Sequence, residues 1–187
     1  MVVNVREKTI EEVEERLSKM LTTLNKLSYL ESVLRVSGTT FEVKRFLYKR
    51  IANLYEDRKL FEKAARAMGN RAAIEVSPKE KLDSYICAAE LFCKSGRVED
   101  ADEMFNRAMR DLDDSGKAKV QLARKNIYLL SAQSLEGHGK PVSALKFYER
   151  LVKTRLDNLE KQNVKVKLIS MYRKLGRFKD AKLVEGI

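Results

Sequence analysis

Apolar positions along this chain recur with helical spacing, and no segment alternates apolar and polar residues as a half-buried strand would. Ile10, Val13, Leu17, Met20, Leu24 and Leu27 step by three and four residues, which keeps one helix face apolar and is also the spacing of a coiled-coil seam. Phe41, Phe46, Leu47, Ile51, Leu54 and Tyr55 form a second such set. Start and stop signals divide the pattern. Thr9-x-x-Glu12 reads as a capping box opening a first helix that Gly38 ends, and Thr39-x-x-Glu42 opens the next, to Asp57. A partner helix follows over 60–76. Ser77-Pro78-Lys79-Glu80 combines a serine cap, proline at the first helical position and a glutamate to close the box. Further helices are predicted up to Gly96, over 98–113, from the Asp113-Asp114-Ser115-Gly116 turn to Glu136, from Pro141, and from Asp157-x-x-Glu160 to Gly176. The chain therefore reads as all-α, with about nine helices and a short last segment from Phe178. The first stripe has two fates open to it, dimerisation or docking on the helices that follow.

A six-residue motif returns along this pattern. Gly-Arg-Val-Glu-Asp-Ala at 96–101 reappears as Gly-Arg-Phe-Lys-Asp-Ala at 176–181, with looser copies at 59–64 and 139–144. The closing alanines, Ala64, Ala101, Ala144 and Ala181, are 37, 43 and 37 residues apart. Nine residues before them stand Tyr55, Phe92, Leu135 and Tyr172, and twelve before stand Ala52, Ala89, Ala132 and Ile169. Small residues let helices cross closely, aromatics fill the space between hairpins, and Gly96, Gly139 and Gly176 suit turns that need positive φ. Such recurrence is the mark of stacked helical hairpins that bury a core against their neighbours.

The pattern resembles the tetratricopeptide (TPR) repeat over most of residues 41–187. The second copy matches best, through Tyr85, Ala88, Ala89, Phe92, Gly96, Ala101, Phe105 and Ala108. The gaps exceed the roughly 34-residue TPR period, which looks more like the extended hairpins of the soluble attachment proteins of vesicle fusion. The segment 93–101 is also similar to a pentatricopeptide repeat, although the 43-residue gap departs from that family's steady period. The TPR resemblance implies a right-handed α-α superhelix. Residues 1–38 would be an N-terminal amphipathic helix docking on the repeats, and 39–187 four hairpins, the last incomplete. It further implies a groove lined by the first helix of each hairpin, at Lys49, Asn53, Asp83, Glu90, Asn126, Gln133, Asn163, Ser170, Arg173 and Lys174. That lining is polar and mixed in sign, suited to an extended peptide or a helix. The carboxylate clamp of chaperone-binding TPR domains is matched only at Lys49 and Asn53, with Cys87, Asn126 and Leu130 in its other places.

Charge adds a direction to this picture. Residues 1–116 hold 21 basic and 21 acidic residues, whereas residues 117–187 hold 17 basic and 6 acidic ones, so the whole net charge of +11 lies there. An acidic partner is expected at that end. Lys146, Arg150 and Lys153 follow one another at helical spacing and, with Lys165 and Lys167, form a candidate basic surface. The competing reading is a nucleic-acid binder that neutralises phosphates with the same residues.

Candidate chemistry is sparse. His138 stands alone between two glycines, Cys87 and Cys93 fall about 120° apart on one helix, and no nucleophile–base–acid set, phosphate loop or metal-ligand spacing is present. No catalysis, cofactor or metal is expected. The absence of a long apolar run or a secretory leader points to the cytoplasm. The chain stops at Leu183-Val184-Glu185-Gly186-Ile187, where a closing helix is expected and solenoids need a cap. Self-association through this end or through the N-terminal helix, or a longer parent protein, is the corresponding expectation. The sequence as a whole reads as a non-catalytic protein–protein interaction scaffold or adaptor.

Overall fold

The computed structural model describes residues 7–186. Among them lie ten α-helices and no strand: α1 Ile10–Ser18, α2 Thr23–Arg35, α3 Phe41–Asp57, α4 Phe61–Ala73, α5 Pro78–Lys94, α6 Val98–Met109, α7 Asp114–Gly137, α8 Pro141–Leu151, α9 Asn158–Lys174 and α10 Phe178–Glu185. No helix among the described residues is long and apolar enough to cross a membrane. The chain forms two compact units, one up to Leu91 and the other from Phe92, so α5 carries the division.

The single helix expected between Thr9 and Gly38 is two. The Thr9–Glu12 capping box forms as expected, but α1 closes at Ser18, and Thr22 then caps α2 by accepting the N–H of Asn25. A pair of β-branched threonines at 22 and 23 is a weak place to continue a helix and a good place to start one. The break also dissolves the continuous apolar seam. Val13 and Leu27 are buried, whereas Leu24 is exposed.

In the first unit α2 packs on α3 and α3 on α4. The α1 helix is held by buried Val13, by the Glu14–Arg50 ion pair at 2.6 Å, and by the Arg16 guanidinium over the Tyr29 ring. The α4–α5 connection is tied by a cluster of charge. Glu75, its side chain 3% exposed, lies between Arg45 at 3.5 Å and Arg71 at 3.4 Å. Arg71 also reaches Ser84 at 2.6 Å and Glu80 at 3.1 Å. The Ser77 box is therefore shared out differently from the sequence pattern. Ser77 Oγ accepts the Glu80 N–H, but the Ser77 N–H goes to Glu75 and the Glu80 carboxylate to Arg71.

The second unit stacks its helices in pairs. α7 packs on α8, α8 on α9 and α9 on α10. Its centre is Tyr128, fully buried, with Phe105 and Phe147 edge-on to its ring at 5.6 and 5.4 Å. Such T-shaped pairs set the positive edge of one ring against the negative face of another.

The repeated motif folds into four turns of one geometry. The N–H groups of Leu60, Arg97, Lys140 and Arg177 donate to the carbonyls of Tyr55, Phe92, Leu135 and Tyr172, at 2.8–3.0 Å. Each bond spans five residues and closes the preceding helix in the manner of a Schellman motif. Lys59, Gly96, Gly139 and Gly176 hold the left-handed backbone this requires. The residue after each has ψ between 57° and 78° and caps the next helix without its side chain. All four motif alanines are buried.

Candidate partner-binding surface

Two pairs of parallel helices shape the second unit. Glu99 and Asp102 of α6 meet Lys146 and Arg150 of α8, at 3.5 and 2.8 Å. Lys125 of α7 meets Glu160 of α9 at 2.6 Å, and Glu136 near the end of α7 meets Lys167 at 3.1 Å and Lys174 at 3.9 Å. Partners rise together along both helices of each pair, so α7 and α9 run side by side in the same direction.

Beyond the α7–α9 ion-pair seam, each helix turns an uncovered stripe to solvent. On α7 it consists of Leu122, Asn126, Leu130 and Gln133, and on α9 of Leu159, Asn163, Val166, Ser170 and Arg173. At about 100° per residue each set falls within a narrow sector of its helix. In both helices the order around the axis is buried face, ion-pair flank, stripe, so the two stripes border the same seam. Leu122, Leu130, Leu159 and Val166 are 55%, 65%, 69% and 66% exposed. Four large aliphatic side chains interleaved with amides and a hydroxyl make an apolar surface with hydrogen-bonding groups between its anchors, the lining a docked helix or peptide uses.

This surface gathers five of the residues marked by sequence, Asn126, Gln133, Asn163, Ser170 and Arg173. Lys174 belongs to the seam instead. In the first unit Lys49 and Asn53 share the exposed face of α3, and Asp83 and Glu90 are exposed on α5. The aliphatic anchors were not singled out as groove residues by sequence. Their signal was an apolar residue falling on the polar face of a helix that already had a core stripe.

The residues of the expected basic surface are differently engaged. Lys146 and Arg150 do share a face of α8, but that face meets α6: Arg150 is half-buried on Asp102, and Lys146 is paired with Glu99. Asp102 also binds Arg124 and accepts the Tyr128 hydroxyl at 2.6 Å. Lys167 is held by Glu136. Lys153, exposed, and Lys165, half-buried, have no carboxylate partner among the described residues.

The six carboxylates that follow Lys117 are all engaged. Glu136 holds Lys167, Lys174 and the Tyr148 hydroxyl, and Glu149 holds Tyr172 and Arg177. Asp157 caps α9, Glu160 holds Lys125, Asp180 holds Arg177 and Glu185 holds Arg173. Burial pushes the Glu136 carboxyl up, but the bond and charge of Lys167, with Tyr148 and Lys174, bring it below its ordinary value. The Lys125 hydrogen bond lowers Glu160 in the same way. The surplus cations of this unit therefore face solvent uncompensated. No family model and no curated protein matches the chain, so the repeated turns and the α7–α9 surface are the ground on which a function has to stand.

Proposed function

We propose that this protein is a TPR-like helical-repeat scaffold, a right-handed superhelix of hairpins that works in the cytoplasm without catalysis and docks a peptide or helix of another protein. The observation that carries this reading is the pair of uncovered stripes on α7 and α9. Leucines and a valine more than half exposed at helical spacing have a desolvation gain waiting for a partner. Five of the groove positions of a TPR-like array, Asn126, Gln133, Asn163, Ser170 and Arg173, lie on the same stripes. The recurring turn supports the repeat itself, because four copies of one hydrogen-bond pattern imply four copies of one hairpin.

The test is capture of partners on the tagged protein from native lysate, in nuclease-treated and untreated halves, beside the Leu130→Glu/Val166→Glu variant. Both positions are exposed, so the variant keeps its fold. Proteins that survive nuclease and are lost from the variant support the scaffold. Partners that vanish with nuclease, with nucleic acid in the untreated eluate, favour the nucleic-acid reading and sink this one.

A further inference from the structure

The two stripes of the α7–α9 surface carry matching side chains in the same order. Leu122, Asn126, Leu130 and Gln133 on α7 stand 37, 37, 36 and 37 residues before Leu159, Asn163, Val166 and Ser170 on α9. That offset is also the distance from Ala144 to Ala181, one repeat. The ion pairs across the seam bracket it: Glu136–Lys167, Lys125–Glu160 and Glu136–Lys174 join residues 31, 35 and 38 apart. With both helices running in one direction, the stripes therefore pair into four layers. Leu122 and Leu159 make an aliphatic layer, Asn126 and Asn163 an amide layer, Leu130 and Val166 a second aliphatic layer, and Gln133 and Ser170 a polar one. The side-chain amides of Asn126, Gln133 and Asn163 have no hydrogen-bond partner among the described residues.

Resting on the scaffold reading above, we propose that the occupant is an amphipathic α-helix of a partner protein, laid along the α7–α9 seam. It sets one side chain on each layer, in the order aliphatic, amide, aliphatic, polar. The first and last layers are 11 residues apart on each helix, about 16 Å at about 1.5 Å per residue. A docked helix has the same rise, so its positions i, i+4, i+7 and i+11 meet all four layers. Side chains on one face of an extended chain recur about every 6.6 Å, so four of them span about 20 Å and fall out of step. An extended backbone would also lie over the aliphatic layers with its N–H and C=O groups unpaired, whereas a helix satisfies its own. The amide layer fixes the register, because a leucine placed there takes water from two amides and returns no hydrogen bond. Charge argues against a second copy of this chain. Lys119, exposed within the sector of the α7 stripe, has no carboxylate partner among the described residues, and the surplus cations of the unit face solvent. A helix with an acidic outer face is attracted there, and another basic unit is repelled.

Fluorescence anisotropy with three labelled probes tests this. The first is a stapled, glutamate-rich helical peptide with leucine at i and i+7, asparagine at i+4 and serine at i+11. The second has leucine in place of that asparagine. The third carries the residues of the first in alternation, with prolines that keep it extended. The asparagine helix should bind about tenfold tighter than the leucine helix, the ratio expected when buried amides lose their partner. Asn126→Leu/Asn163→Leu should reverse that preference, and Leu130→Glu/Val166→Glu should abolish binding of both helices. All four positions lie on the stripes, away from the core, so the variants keep their fold. A preference for leucine in the wild type, no binding of either helix, or tighter binding of the extended probe overturns the proposal. So does a dimer of the wild type that Leu130→Glu/Val166→Glu dissolves, because a second copy would then be the occupant. If only the extended probe binds and that variant loses it, the scaffold reading stands and the helix falls. If the variant loses the helical probe but keeps every partner captured from lysate, the helix site stands and the scaffold reading falls.

Discussion

Lys59 occupies the place in its hairpin turn that Gly96 occupies in the next, and both hold a left-handed backbone, at φ 57° and 80°. For a residue with a Cβ that conformation costs about 1 kcal/mol, which the surrounding turn imposes on Lys59. Lys59 is exposed at the surface. Lys59→Gly should therefore stabilise the protein by about 0.5–1 kcal/mol, the relief of strain being partly offset by glycine's greater freedom in the unfolded chain. Gly176→Lys should cost a similar amount. Urea unfolding of the two variants reads both signs.

The motif alanines are fully or almost fully buried, Ala144 among them on α8, which packs on α7. Ala144→Leu forces a larger side chain into that contact and should destabilise by about 1–3 kcal/mol, with Ala144→Gly costing about 1 kcal/mol through helix propensity. Thermal melts followed by circular dichroism separate the two. A tolerated leucine would mean that the space around Ala144 can open to take a larger side chain.

Asp102 neutralises two half-buried arginines, Arg124 and Arg150, and accepts the hydroxyl of buried Tyr128. Asp102→Ala should cost about 2–3 kcal/mol, because it leaves like charges close together and a phenol without its acceptor. Replacing all three charged residues at once, Asp102→Leu with Arg124→Met and Arg150→Met, should recover most of that loss. Denaturant titration of the single and triple variants is the measurement, and a triple variant no better than the single would show that the pairing itself holds α6, α7 and α8 in register.

Alkaline pH should loosen both units. Burial, followed by bonds to Glu31, Glu136 and Glu149, pushes Tyr55, Tyr148 and Tyr172 up to about 12. A folded value above the ordinary value of about 10 means the neutral phenol is the form the fold prefers. The stabilisation is complete below pH 10 and is lost as pH climbs through 12. The melting temperature of the wild type should drop over that interval. Tyr172→Phe should start lower by the worth of one hydrogen bond, about 1 kcal/mol, and drop less steeply. Identical slopes would show that lysine deprotonation, common to both proteins, sets the alkaline limit.

Features fixed by nearest neighbours were the ones readable from sequence. A glycine five residues before an alanine specifies a turn by local sterics alone, and Gly96, Gly139 and Gly176 all fold as turns. The Thr9 and Asp157 boxes needed only a partner three residues on, and both form. The start of α2 escaped notice because Thr22 has Asn25, not a glutamate, in that third place. Residues whose role depends on a second helix could not be placed. Nothing in the spacing of Lys146 and Arg150 says that their face meets Glu99 and Asp102. The aliphatic anchors of the α7 and α9 stripes were visible as residues but not as a surface, since their exposure depends on which side of each helix its neighbours cover.

The turns close over a handful of consecutive residues, each by the same short-range bonds, so most of the information that bends this chain is local. Loops of that length close fast and cost little entropy, and folding can begin at any of the four turns without waiting for distant segments to meet. Growth by duplication then has a low barrier. A copied hairpin brings its own turn, its own alanine contact and its own cap, and needs from the rest of the chain only a neighbour to stack on.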